Sequence, residues 1–261
     1  MYLIPWFQYT VIHLGPIPIR VWGLFVALGM ALALWIIWRR SRRLGLNPEL
    51  ISNLAVWSII GGLIGARLFH VLFYEPAFYL QQPLEVFKIW RGGLSSFGGL
   101  TGALVAFWLW ARRNKIFVER WLPIADQLSF AAVYGWLVGR LGCVMIHDHP
   151  SKPSNFWLAI RWPDGTPRLD LALLEIILMI PLALWFFVGR KKKKPEGWFL
   201  FVLFIYYGVL RFVLDFWRAT DLPGADARYL GLTPAQYLAI LLVVLGGKFF
   251  FYLKRNVGRF A

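Results

Sequence analysis

Long apolar stretches separated by short polar segments dominate the 261-residue chain. Seven are visible, at approximately 20–38, 50–73, 94–111, 122–146, 170–189, 197–216 and 233–253. They are long runs, not short alternating patches, and a run of about 20 apolar residues matches the hydrocarbon thickness of a bilayer at helical rise. The pattern predicts an all-α integral membrane bundle of about seven transmembrane helices. It predicts one membrane domain over 1–261, without internal repeat or second soluble domain. The first run leads into Arg39, Arg40, Arg42 and Arg43 with no small-residue cleavage site, so it reads as a retained helix.

The polar segments alternate in character. Basic clusters follow the first, third, fifth and seventh runs: RRSRR, RRNK with Arg120, RKKKK at 190–194, and Lys254, Arg255 and Arg259. With Lys248 they hold most of the 28 Lys and Arg residues. If every run crosses once, these clusters share one side, and the excess of basic residues makes that side cytoplasmic. The N-terminus is then outside and the C-terminus inside. The other loops, 74–93, 147–169 and 217–232, are long enough for short interfacial helices or lids.

Composition agrees. Hydrophobic residues make up 59% and charged residues 16%, too little polar surface to cover a water-soluble globule of this size. Trp22, Trp90, Trp121, Trp157, Trp198 and Trp217 sit near run ends, where indoles favour the membrane interface. The net charge of +15 would suggest nucleic acid on a soluble protein; here its location between spans assigns it to topology. A single cysteine, Cys143, excludes an intramolecular disulfide and a cysteine-based metal cluster.

Arg67, Arg140 and Arg211 interrupt the second, fourth and sixth runs. Arginine is costly within a bilayer and persists where it faces a protein interior or polar cavity and has a partner. One such arginine is equally well a structural ion pair or a cap on a carbonyl. Three, in the outer halves of three helices, point to a shared anion site, and a lipid phosphate is the anion most available at that depth. Arg211 and Asp215 share a helix face at i,i+4, with Arg218 following.

Two weaker features stand beside them. Gly98 and Gly99 belong to the segment from Arg91 to Gly102, in which two Gly-Gly pairs flank Ser95-Ser96. Small residues permit tight helix packing, and here they suggest a re-entrant or ligand-facing turn. The His147-Asp148-His149-Pro150 segment offers acid–base chemistry; no further His or Cys set completes a metal site, and His70 is a lesser candidate base.

In order and spacing these features resemble the bacterial prolipoprotein diacylglyceryl transferases. The segments are LGPIPIRVWGL, GGLIGARLFHVLFY, WRGGLSSFGGLTG, GRLG, RLDLALLE with Arg168 and Glu175, YGVLRFVLDFWRATD and GLTPAQYLAI. The resemblance implies seven helices with the N-terminus outside, in the bacterial cytoplasmic membrane. It implies transfer of the diacylglyceryl group of phosphatidylglycerol to the lipobox cysteine of a prolipoprotein signal peptide. It implies no cofactor, no metal and no nucleic-acid partner. Arg140 and Arg211 match functional arginines and would hold the lipid phosphate with Arg67, Gly98, Gly99 and Tyr207. Glu175, Arg168, Asp215 and Arg218 would support them.

The sequence also departs from the family pattern. Phe97 stands where the family has a histidine, Cys143 where it has an asparagine, and Trp22 where it has a tyrosine. Ile146-His147-Asp148 replaces Asn-Gly-Glu, keeping only the acid. His147, His149 or Asp148 would then take the proton of the substrate thiol. The alternative is a catalytically altered relative that binds phospholipid or lipoprotein precursor without turnover. A transporter would show paired broken helices and an inverted repeat, which the sequence lacks.

Overall fold

The computed structural model describes residues 4–89, 92–115, 121–192, 194–222, 225–226 and 228–257. Trp90, Arg91, Arg120, Lys193 and Arg259 lie outside the described residues. The chain is mostly helical. In order, β1 (Val11–Leu14) and β2 (Ile17–Arg20) precede α1 (Val21–Arg43), α2 (Pro48–Phe73), α3 (Pro76–Gln81), α4 (Ser96–Arg113) and α5 (Trp121–Ile146). Then come β3 (Pro150–Pro153), β4 (Ile160–Arg161), β5 (Pro167–Asp170), α6 (Leu171–Gly189), α7 (Trp198–Leu214) and α8 (Pro234–Val257).

All seven apolar runs are helices. Among the described residues, α1, α2, α5, α6, α7 with its continuation to Trp217, and α8 are long and apolar enough to cross a membrane. α4, the third run, has 18 residues. α1 continues through its arginines to Arg43, past the run that predicted it. There and elsewhere basic side chains lie over aromatic rings one turn earlier: Arg39 over Trp35 at 5.2 Å, Arg42 over Trp38 at 4.9 Å and Arg112 over Trp108 at 5.3 Å.

The chain packs as two compact units, residues 34–124 and residues 1–33 with 125–261. Within the first, α2 packs along α4. Gly61, Gly65, Gly98 and Gly102 line the crossing, and a Cβ on any of them would overlap the facing helix. The re-entrant turn anticipated for this segment is therefore the regular start of α4, capped by Ser95, whose side chain accepts from Gly98 N–H. The 74–89 segment forms α3 and a 3-10 turn, Pro83–Phe87, as short helices.

In the second unit two small sheets form, one ahead of α1 and one over 150–170, where the loop was expected to hold short interfacial helices or a lid. β1 and β2 make an antiparallel hairpin, and β5 lies between β3 and β4. Large apolar side chains such as Trp57, Ile64, Leu104, Leu184 and Val188 are exposed, whereas Arg140, Glu175, Asp215 and Gln236 are buried. Apolar outside with charge inside suits a protein whose solvent is hydrocarbon.

Candidate active site

Arg67 is committed within its own unit. Its Nε donates to Val86 O at 2.8 Å and its NH1 to Gly92 O at 2.5 Å and Gly93 O at 2.9 Å. Its NH2 donates to the carbonyls of Glu85 and Lys88. Tyr79 covers the guanidinium at 5.1 Å. A phosphate was anticipated as its partner; main-chain carbonyls occupy its donors, because the Gly-rich turn folds back over it. Gly98 and Gly99, assigned beside it, face α2. His70 lies 3.6 Å from Glu75 and stacks on Tyr74.

The other unit gathers most of the remaining residues. Arg140 on α5 meets Glu175 on α6 through Nε at 3.0 Å to Oε1 and NH2 at 3.0 Å to Oε2, a forked pair. Arg211 on α7 reaches Oε2 of the same carboxylate at 3.3 Å and Asp215 at 3.0 Å. Two guanidinium groups thus converge on one carboxylate that is 1% exposed. Without it their mutual repulsion in a weak dielectric would drive them apart.

Trp136, one turn before Arg140, stacks on its guanidinium at 4.8 Å and donates from Nε1 to Glu175 Oε1 at 2.5 Å. Tyr207 packs edge-on to Trp136 at 5.5 Å. Apolar walls adjoin this polar centre. A cavity of about 170 Å³ is lined by Trp136 and Tyr207 with Ala132, Met179, Leu203 and Leu242.

His149 completes the cluster. Its Nε2 lies 3.0 Å from Arg140 NH1, and its Nδ1 contacts Asp148 Oδ1. A guanidinium only donates, so Nε2 accepts and the ring proton sits on Nδ1, donating to Asp148. Burial pushes the His149 imidazole below the ordinary histidine range; Asp148 opposes that shift, while Arg140 and Arg218 add to it. The imidazole is therefore neutral at pH 7, with an acceptor nitrogen turned toward Arg140.

Cys143, Asp148 and His149 bring three metal-ligand atoms within 4.8 Å. Arg140 NH1 also lies 3.6 Å from Cys143 Sγ. A permanently charged guanidinium among the three donors disfavours a cation, so the group fits the arginine network better than a metal.

Arg168 and Arg218 sit in the loop layer. Arg168 forms a forked pair with Asp221 at 3.0 and 2.5 Å and donates to Ser151 O at 3.0 Å. The Arg168 hydrogen bond holds the Asp221 carboxyl below the usual carboxylate range. Arg218 meets Asp226 at 2.5 Å. The Arg168–Asp221 pair ties this loop to β5, and Ala219 N–H donates to Pro150 O on β3 at 3.0 Å, whereas Arg218–Asp226 lies within the loop.

Trp136, Thr233 and Asp170 are structural partners that the sequence reading passed over. Thr233 caps α8, its hydroxyl donates to Asp215, and its N–H donates to Gln236 Oε1 at 3.0 Å. The Thr233-Pro234-Ala235-Gln236 string is a readable capping box with proline at the first helical position. Trp136 stands four residues before Arg140, the spacing that shares a helix face.

The family model described as Prolipoprotein diacylglyceryl transferase matches residues 9–252. A phosphatidylglycerol–prolipoprotein diacylglyceryl transferase of Azoarcus sp. (strain BH72) is 34% identical over 258 residues, covering 93% of each chain. One from Janthinobacterium sp. (strain Marseille) is 33% identical, covering 94% of this chain and 95% of its own. One from Nitratidesulfovibrio vulgaris (strain DSM 19637 / Miyazaki F) is 32% identical, covering 95% and 93%.

Proposed function

The chain belongs to the prolipoprotein diacylglyceryl transferase family, and from that premise we propose that it transfers the diacylglyceryl group of phosphatidylglycerol to the lipobox cysteine thiol of a prolipoprotein. The observation that carries the reading is the convergence of Arg140 and Arg211 on Glu175, with neutral His149 against Arg140.

The substrate sulfur attacks the glycerol carbon that bears the phosphodiester oxygen. A C–S bond forms, the C–O bond breaks, and the electron pair leaves with glycerol phosphate. Negative charge grows on that phosphate, where Arg140 and Arg211 stabilise it. Glu175 holds the two guanidinium groups at one spacing before substrate arrives. A phosphate oxygen that takes the NH1 of Arg140 releases His149 Nε2, which then accepts the thiol proton, since the thiolate is the nucleophile. Asp148 keeps the Nδ1–H oriented. The proton leaves on the glycerol phosphate. The apolar cavity beside Trp136 adjoins the region where an acyl chain would lie. In this scheme Arg67 anchors the 85–88 turn and the Gly92-Gly93 pair.

The same reading makes the protein a multi-pass protein of the bacterial cytoplasmic membrane, with α4 as a seventh crossing, the N-terminus outside and the C-terminus in the cytoplasm. The basic ends of α1 and α4 and the Arg190 cluster after α6 support that orientation. An 18-residue α4 spans about 27 Å at helical rise, close to the hydrocarbon thickness.

Purified protein, phosphatidylglycerol vesicles and a lipobox peptide test the activity directly. The peptide gains the mass of one diacylglyceryl unit on its cysteine. An unmodified peptide in the presence of bound lipid would replace the transferase reading with that of a binding protein.

A further inference from the structure

The chain leaves α5 through His147, whose φ of +52° lies in the left-handed region that residues with a Cβ rarely adopt. The turn sends Asp148 and His149 back toward Arg140. What holds it is visible. The imidazole is fully buried against Trp6 at 4.8 Å, Phe7 at 4.6 Å and Trp162 at 5.8 Å. Its Nδ1 lies 2.6 Å from Asp170 Oδ2. Its Nε2 has no hydrogen-bond partner among the described residues, which leaves the ring proton on Nδ1, donating to Asp170.

Asp170 is engaged twice. Its other oxygen accepts the N–H groups of Ala172 at 2.8 Å and Leu173 at 3.3 Å and so caps α6. α6 carries Glu175 five residues on. Cys143 and Val144 pack against Ala172 at the same junction. One carboxylate therefore restrains both arms that reach Arg140, the His149 arm and the Glu175 arm.

We propose that His147 and Asp170 are positioning residues for the transfer, locking the turn after α5 to the start of α6 so that His149 and Glu175 meet Arg140 together. This assignment rests on the proposed transferase chemistry and takes His147, anticipated as a candidate base, out of the proton transfer. An imidazole walled in by three aromatic rings, bonded to Asp170 and 0% exposed is shut off from a substrate thiol, whereas the His149 side chain is 15% exposed.

The substitution that isolates the lock is His147→Gly. Glycine accepts a φ of +52° without strain, so the turn survives while the bond to Asp170 is lost. His147→Asn is the rescue. Asparagine tolerates the left-handed region, and its Nδ2 sits at the same bond distance from Cβ as the histidine Nδ1. Asp170→Asn is the second probe, because asparagine still caps α6 but removes the charge from the pair.

Two measurements on the detergent-solubilised full chain read the result. The first is the titration of His149, followed by NMR with isotope-labelled histidine, which needs no turnover. The titratable and charged groups around His149 are Asp148, Arg140, Cys143 and Arg218. In folded His147→Gly the loosened ring hydrates, and its titration moves up toward the ordinary histidine value; in His147→Asn it stays at the wild-type position. The second is transfer from phosphatidylglycerol to the lipobox peptide. His147→Gly loses tenfold or more in kcat with KM for the lipid little changed, and His147→Asn recovers most of it. A folded His147→Gly, or a folded Asp170→Asn, with the wild-type His149 titration overturns the lock, and so does an Asn variant no better than Gly. Absence of transfer by the wild-type protein strikes the proposed function instead and leaves the titration result standing on its own.

Discussion

Arg140 and Arg211, on α5 and α7, bind the same buried carboxylate, that of Glu175, at 3.0 and 3.3 Å. Glu175 is therefore the hinge of the site's electrostatics, keeping two cations within reach of one anion. Replacing it by glutamine keeps the size and removes the charge. Breaking one partner of a buried pair costs about 3–5 kcal/mol. Glu175→Gln is expected to lower the thermal midpoint in detergent and to reduce transfer at least a hundredfold, both measured on the purified variant.

Arg211→Lys tests geometry against charge. Lysine keeps the cation but cannot hold Glu175, Asp215 and a phosphate from one planar fork. Transfer should fall about a hundredfold, within the range for loss of one charge-stabilising donor, while Arg211→Ala and Arg140→Ala abolish it. Full activity in either alanine variant would contradict the phosphate clamp.

In the proposed mechanism the base is His149, and a pH dependence of transfer is expected from it. Its ring titrates below the ordinary histidine value because burial disfavours the charged form. Activity should fall on the acid side as pH drops through that lowered value, and neutral pH should lie on the plateau. Stability has the same sign. Between the folded value and about 6.5 the unfolded chain binds more protons than the folded one, so stability declines as pH falls below about 6.5. His149→Ala should remove the acid limb and about 10²–10⁴ of the rate, read from a pH series of initial rates.

The α2–α4 crossing predicts a folding defect without an active-site defect. A leucine at Gly65 would collide with Gly98 and Gly102 backbone. The expected outcome is loss of the monodisperse peak on size-exclusion chromatography, with Ala at Gly99 tolerated because its nearest neighbour, the Ala66 Cβ, lies at ordinary contact distance, 3.5 Å.

Asp221 ties its loop to β5 through Arg168. Asp221→Asn should leave overall stability near wild type, since Asp221 is open to solvent, and should speed limited proteolysis within 217–232. The wild-type protein should show the same sensitivity only when pH falls through the lowered Asp221 value, where the carboxyl protonates and the pair is lost.

Helix positions were legible because hydrocarbon imposes one rule on every spanning segment: backbone groups must bond within the helix and side chains must be apolar. Among the described residues all seven apolar runs are helices, and six of these helices are long and apolar enough to cross a membrane. Arg140 and Arg211 were legible for the same reason, as charges that such a segment otherwise excludes. The loop sheets were not, since strands as short as β4, two residues long, leave no periodicity to read.

What needed coordinates was partnership. Arg67, Arg140 and Arg211 look alike in sequence, each a lone cation in an apolar run. The fold gives Arg67 the carbonyls of a Gly-rich turn, and gives the other two a common glutamate with a histidine alongside. Glu175 and Asp170 lie 35 and 23 residues from the side chains they hold, Arg140 and His147. Local propensity cannot encode such distances. Sequence reports the cost of a buried charge, whereas the identity of the group that offsets it depends on how the helices are turned and stacked.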